Sequence, residues 1–202
     1  MSVLRTSRLF LLPGTIATLR AELESRGALG EALGVDVPDG WPPELYDADA
    51  VRWTIAWLEA HPGEAEWSMY YIALAPEKAG SRPRLVGVAG YKGGPDDAGI
   101  VEIGYGIVAE HRRRGFASEA VRGMLARAFA DPRVSAVIAH TLSELTASIG
   151  VLRNTGFLFD GLGNDPSEPA AIRYVMPRSR YERSFADRSI GPADLPSRPV
   201  AT

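Results

Sequence analysis

The chain has 202 residues, 46% hydrophobic and 23% charged, with no cysteine and a formal net charge of −3. That is the composition of one globular domain with a sizeable core. It excludes a disulfide framework, a thiolate metal site, a cysteine nucleophile and a general basic field for nucleic acid.

In chain order, Leu4 to Leu12 reads as a strand closed by Pro13-Gly14. Thr15 to Arg26 has helical spacing at Ile16, Leu19 and Leu23, with Thr15 as N-cap. Residues 27–43 are rich in Gly and Pro and read as a loop carrying Trp41. Asp47 or Asp49 caps a second helix to about Ala60, which His61-Pro62-Gly63 ends. Trp67 to Ala75, Leu85 to Tyr91 and Ile100 to Val108 are strand-like, separated by strong turn signals, and suggest an antiparallel meander. Ala117 to Ala130 is helical, with Val121, Met124, Leu125, Ala128 and Phe129 on one face. Val134 to His140 is the next strand, and the strand–helix–strand order implies a parallel crossover. Thr146 to Thr155 is a short helix weakened by Gly150. Phe157 to Leu162 and Ile172 to Met176 complete the sheet as a pair. The domain is expected to span 1–178, followed by a polar, proline-bearing tail at 179–202.

The most informative stretch is Val101 to Glu119, an apolar strand, then Arg112-Arg113-Arg114-Gly115, then a helix start. The first N–H groups of a helix lack partners within it, and the helix dipole makes that end partly positive. A glycine turn at such a place suits a phosphate. A solvated basic turn is the plain alternative. Gly90, Gly93, Gly94 and Gly99 are turn residues, since they precede a strand and lack the G-x-x-x-x-G-K-[ST] pattern. Gly104-Tyr105-Gly106 lacks a dinucleotide fingerprint; two glycines in a strand more often mark a bulge or a close backbone approach. The histidines His61, His111 and His140 show no ligand spacing, so no metal is expected. There is no signal-peptide pattern at the start and no apolar run near the roughly 18 residues of a membrane span. The expectation is a soluble, cytoplasmic protein without nucleic-acid or membrane partners.

Residues 100–157 resemble the GNAT superfamily of acyl-CoA-dependent N-acetyltransferases, and in particular its RimJ/RimL-type branch. Arg112 to Ala117 fits the [RQ]-x-x-G-x-[GA] loop, Glu102-Ile103-Gly104-Tyr105-Gly106-Ile107 the strand before it, and Ala117-Ser118-Glu119-Ala120 the helix start. His140-Thr141-Leu142, Thr146-Ala147-Ser148-Ile149 and Gly156-Phe157 continue the likeness, as do Leu4 to Leu9 and Leu11-Leu12-Pro13. The resemblance implies an α/β (α+β) fold: a mixed, mostly antiparallel, splayed central sheet of about seven strands, flanked by about four helices. It implies acetyl-CoA in the V between the fourth and fifth strands. The backbone of Ile107 and Val108 would meet the pantetheine arm, and Arg112, Arg113, Arg114, Gly115, Phe116, Ala117 and Ser118 the pyrophosphate. The reaction it implies is direct attack of a primary amine on the thioester, the acceptor being a protein N-terminus or a small-molecule amine, and family members are commonly homodimers.

Such chemistry needs a base and a partner for the departing thiolate. Glu102 is the expected base, acting through a water, and Ser148 the expected contact to the sulfur. The plain alternatives are a solvent-facing strand carboxylate and a helix serine bonding backbone. His140 can relay a proton or serve as a structural histidine. Trp41, Tyr70, Tyr105 and His140 are candidates for the acceptor pocket, with core packing the alternative for the aromatics. Leu145 stands where the family often has asparagine, and Leu152 where other branches have a tyrosine acid. Those losses keep a non-catalytic acyl-CoA sensor or scaffold open as a second reading. A nucleotide-phosphate enzyme is a third, disfavoured by the absent P-loop.

Overall fold

The computed structural model describes residues 2–76, 78, 80–163 and 170–185. Eight strands form one sheet: β1 (Leu4–Arg5), β2 (Leu9–Pro13), β3 (Met69–Leu74), β4 (Arg84–Tyr91), β5 (Ile100–Ile107), β6 (Ala136–Leu142), β7 (Leu158–Leu162) and β8 (Ala171–Pro177). Their spatial order is β1-β2-β3-β4-β5-β6-β8-β7. Every pairing is antiparallel except β5 with β6, the crossover pair expected from the sequence.

Among the described residues, six α-helices accompany the sheet: α1 (Ile16–Glu24), α2 (Arg26–Leu33), α3 (Ala48–Ala60), α4 (Phe116–Ala130), α5 (Thr146–Asn154) and α6 (Arg178–Phe185). Thr15 caps α1 through a reciprocal pair of bonds with Thr18. Asp47, rather than Asp49, caps α3, because its carboxylate accepts from the N–H groups of Asp49 and Ala50. One core lies between the sheet and α4, where Val121, Met124, Leu125 and Ala128 meet Val101, Ile103 and Val137. A second core on the opposite face holds Leu19, Leu29, Val51 and Leu58 against Tyr71, Leu85 and Val88. Glu22 of α1 enters that second core, accepting bonds from Trp41 Nε1 (2.8 Å), Tyr46 Oη (3.1 Å) and Tyr71 Oη (2.7 Å). Burial raises its carboxyl above the ordinary value, outweighing the three donors.

Three local features depart from the sequence expectations. The run Leu4 to Leu12 is two strands joined by a tight turn, because Leu9 N–H donates to Thr6 Oγ1 and Thr6 N–H to Leu9 C=O. Residues 27–33, expected as loop, belong to α2, which begins at Arg26, the expected end of the first helix. Ser25 caps it through Ala28 N–H, and Gly34 ends it in the left-handed conformation (φ 67°). Gly30 sits on that helix where a Cβ would lie 3.0 Å from Val35 O, so this glycine, which argued against a helix, serves its packing.

Order also continues past residue 178. Arg178, at the start of α6, donates to Phe129 O (2.9 Å), Asp131 O (2.6 Å) and Val134 O (2.8 Å), and Tyr181 stacks on Phe129. Phe129 O belongs to the last turn of α4, whose carbonyls lack intrahelical partners, Asp131 O to its C-cap and Val134 O to the chain beyond. Residues 186–202 of the expected tail lie outside the described residues. Arg178→Ala is expected to cost about 3 kcal/mol, given three charge-assisted bonds of partly exposed geometry. For a chain of this size that is about 6–12 °C in Tm, and a calorimetric change under about 1 °C would remove the clamp from the stability of α4.

Candidate active site

β5 and β6 pair only at Ile100–Ala136, Val101–Val137 and Glu102–Ile138, after which the strands part. β5 remains paired with β4 through Ile107. In an antiparallel ladder, residues alternate in sending their N–H and C=O to the partner. Lys92 N–H donates to Glu102 C=O and Val108 N–H to Val86 C=O, both at 3.0 Å. Residues 102, 104, 106 and 108 therefore turn their polar backbone to β4. Those of Tyr105 and Ile107 turn toward β6, where the strand has left. A V with free backbone edges results, of the kind that binds an extended ligand.

This phasing corrects one expectation. Val108 is fully buried and its N–H is already held by Val86, so it has no donor for a cofactor arm. Ile107 faces the V, but its carbonyl accepts from Arg112 Nε at 3.1 Å.

The turn between β5 and α4 contains two left-handed residues, Arg113 (φ 60°) and Gly115 (φ 80°). Gly115 is the N-cap of α4, without a side-chain cap. The first bond into the helix runs from Glu119 N–H to Gly115 C=O, so the amides of Phe116, Ala117 and Ser118 stand outside the helix ladder. A left-handed residue directly before right-handed helical ones, as at Gly115, aims successive amides into one concavity. The residues present thus fit a pyrophosphate.

The three arginines differ in what they can offer. Arg112 is committed to Ile107 O and to Glu44 (3.0 Å). Arg114 donates to His111 Nδ1 (3.2 Å) and lies over the Phe116 ring. Because a guanidinium only donates, His111 accepts there and is neutral with its proton on Nε2. Burial, the largest influence, holds its pKa below the ordinary value, against the pull of Glu110. Arg113 has no bonded partner among the described residues, so it is the guanidinium available to an anion. The turn is braced from the N-terminus: Glu119 accepts from Thr6, Ser7 and Arg8, and Arg8 also donates to Arg114 O and lies over Phe116. Burial alone would raise the Glu119 carboxyl, but the bonds from Thr6, Arg8 and Ser7 together hold it below its usual value.

Side chains on β5 alternate between faces. Val101, Ile103 and Ile107 enter the α4 core, with Tyr105 packed against it. Glu102 points to the other face, where Oε1 meets His140 Nδ1 (3.1 Å) and the Lys92 ammonium. The structure thus joins Glu102 to His140 just where the strands part. Lys92 was not legible as a partner, since it belongs to the turn before β5. Tyr105, on the opposite face from Glu102, reaches Ser148 of α5, its hydroxyl lying 3.2 Å from Ser148 Oγ and 3.1 Å from Ser148 O. Burial, the largest influence, pushes the Tyr105 phenol up to about 12, so it stays protonated. Two other aromatics expected at the acceptor pocket are core residues instead. Tyr70 is 2% exposed and bonds Glu66 O; Trp41 is 9% exposed and bonds Glu22. No cluster of potential metal ligands occurs among the described residues.

A mixed sheet, parted beside an amide-lined turn, is the framework of an acyl-CoA-dependent transferase. The chain belongs to the acetyltransferase (GNAT) domain family, which it matches over residues 31–158. Among its relatives is the uncharacterized N-acetyltransferase YjdG of Bacillus subtilis (strain 168), 26% identical over 160 residues, covering 79% of this chain and 92% of that protein. Similar solved structures include RimL, a ribosomal L7/L12 alpha-N-protein acetyltransferase, in complex with coenzyme A. It has a TM-score of 0.59 and 12% identity, over 89% of this chain and 99% of that one. Another is the aminoglycoside acetyltransferase AAC(6')-Ib with coenzyme A, at TM-score 0.57 and 19% identity, over 87% and 98% of the two chains. The fold is that of these neighbours, and the chain is an acetyl-CoA-dependent N-acetyltransferase.

Proposed function

We propose that this enzyme acetylates a primary amine, on a protein N-terminus or a small molecule, and that it sits with the RimJ/RimL-type branch of its family. The observation that carries the reading is the pairing of Glu102 with His140 at the parting of β5 and β6, with the Tyr105–Ser148 hydroxyl pair on the other face of β5. Bound acetyl-CoA supplies an activated thioester and a thiolate as leaving group. The free amides of residues 116–118 and the Arg113 guanidinium would hold its pyrophosphate, and the unpaired backbone of Tyr105 and Ile107 would be open to its arm.

Glu102 takes the proton of the incoming amine at its carboxylate, directly or through a water. His140 fixes the carboxylate's position from β6, and Lys92 balances its charge. Ser148 Oγ holds the proton that the departing sulfur needs, and the protonated Tyr105 hydroxyl keeps that serine oriented. With leucine at 145 and 152, Ser148 is the residue of α5 assigned to the departing sulfur, and Tyr105 of β5 is its partner. A homodimer in the cytoplasm is the expected state of the protein.

A panel of free amines and peptide N-termini, read by release of the coenzyme A thiol, tests the reading. Turnover on at least one primary amine is expected. Stabilisation by coenzyme A without turnover on any would favour a sensor. Ser148→Ala is expected to slow the chemical step about 100-fold, the low end for a positioned proton donor, in single-turnover kinetics, with coenzyme A affinity unchanged; full activity would assign thiolate protonation to water.

A further inference from the structure

Of the glycines on described strands, most have a plain reason to be glycine. A Cβ on Gly87 would lie 2.2 Å from Gly106 O, and one on Gly90 2.8 Å from Met69 Cα. One on Gly106 would meet the Pro43 ring at 3.2 Å, and Gly161 has φ 93°. Gly104 has neither reason: its backbone lies outside the left-handed region, and a Cβ there would meet nothing within 4 Å. Glycine inside a strand is costly relative to alanine, by about 0.5–1 kcal/mol, and commonly marks a close approach by a ligand. The room over Gly104 is kept open at the expense of strand stability.

That room has defined ends. Gly104 shares a face of β5 with Glu102 and Gly106, by the alternation that sends Ile103 and Tyr105 to the α4 side. At one end stand Glu102 and His140. At the other, Pro43 closes over Gly106, and Glu44 is tied back to the anion turn through Arg112. Strand geometry puts Glu102 and Gly106 about 13 Å apart, with Gly104 about 7 Å from each. Beyond Pro43 the loop carries Leu45, 83% exposed and held at φ 65°. A left-handed, solvent-facing leucine costs free energy twice over, and strain of this kind gathers at ligand sites.

We infer that Gly104 sizes the acceptor site, and that the acceptors are primary amines whose amino carbon bears a bulky apolar group. The amino nitrogen lies at Glu102–His140, and the substituent lies over Gly104 toward Pro43 and Leu45. This assignment rests on the acetyl-transfer reading above and adds the substrate class to it.

The test uses phenylalaninamide and glycinamide as the paired amines. Gly104→Leu is expected to leave coenzyme A affinity within twofold. It raises KM for phenylalaninamide at least about tenfold, as filling a pocket by several methylenes does, and leaves glycinamide within threefold. Equal effects on both amines, or none on either, would overturn the assignment. A second variant keeps the trough testable apart from turnover. The chain has no cysteine, so Gly104→Cys introduces a single thiol. Its alkylation by a maleimide is expected to be rapid and to be slowed by phenylalaninamide, not by glycinamide. If the wild type acetylates neither amine, the acetyl-transfer reading fails on these substrates and the labelling decides the trough. Selective protection supports it, and indifference to the two amines overturns it.

Discussion

Replacing Gly115 by aspartate is expected to lower coenzyme A affinity at least about 100-fold, a loss of about 2.7 kcal/mol. Two effects add. Gly115 caps α4 at φ 80°, where a residue with a Cβ pays about 1–2 kcal/mol. The new carboxylate would also stand among amides that otherwise meet a pyrophosphate, turning attraction into repulsion. The Cβ itself has room, with Arg8 Nη2 the nearest atom at 3.5 Å, so the fold is expected to survive. The thermal midpoint of the free protein reads the first effect, and titration calorimetry with coenzyme A reads the second. Affinity within threefold of wild type would take the turn out of the cofactor site.

Glu102→Gln is expected to reduce turnover about 10²–10⁴-fold, the range for loss of a positioned base, with coenzyme A affinity within twofold. The amide keeps the size of the carboxylate but cannot take a proton, and it gives up the ion pair with Lys92 and changes the contact with His140 Nδ1. Single-turnover kinetics separates the chemical step from binding. An unchanged rate would exclude Glu102 as base and return it to the role of a strand carboxylate paired for structure.

The central part of the fold was legible because its signals are local. Val101 to Glu119 announces a strand, a basic glycine turn and a helix within twenty residues, and α4 appears with the apolar face expected of it. The parallel β5–β6 pair follows from strand–helix–strand order. What could not be read depends on distant partners. The β1–β2 turn exists because Thr6 turns back on Leu9, and α2 because Gly30 fits under Val35. Three adjacent arginines looked equivalent, yet Glu44, 68 residues from Arg112, claims one of them. Tyr105 and Glu102 looked like neighbours on one strand; their faces differ, so one meets Ser148 and the other His140. Trp41 and Tyr70 illustrate the usual ambiguity of aromatics, whose apolar area serves a core as well as a pocket.

The grip of Glu119 on Thr6 and Arg8 spans 113 and 111 residues of chain. During synthesis the first hairpin is therefore made long before the helix it braces, and must wait for α4 to emerge and dock. Contacts of such separation close late, after the loop entropy between them has been met. A nascent chain with β1 to β4 complete would hold most of one core and none of the anion turn. If coenzyme A binds at the finished turn, as proposed, it would draw that last docking step forward by mass action.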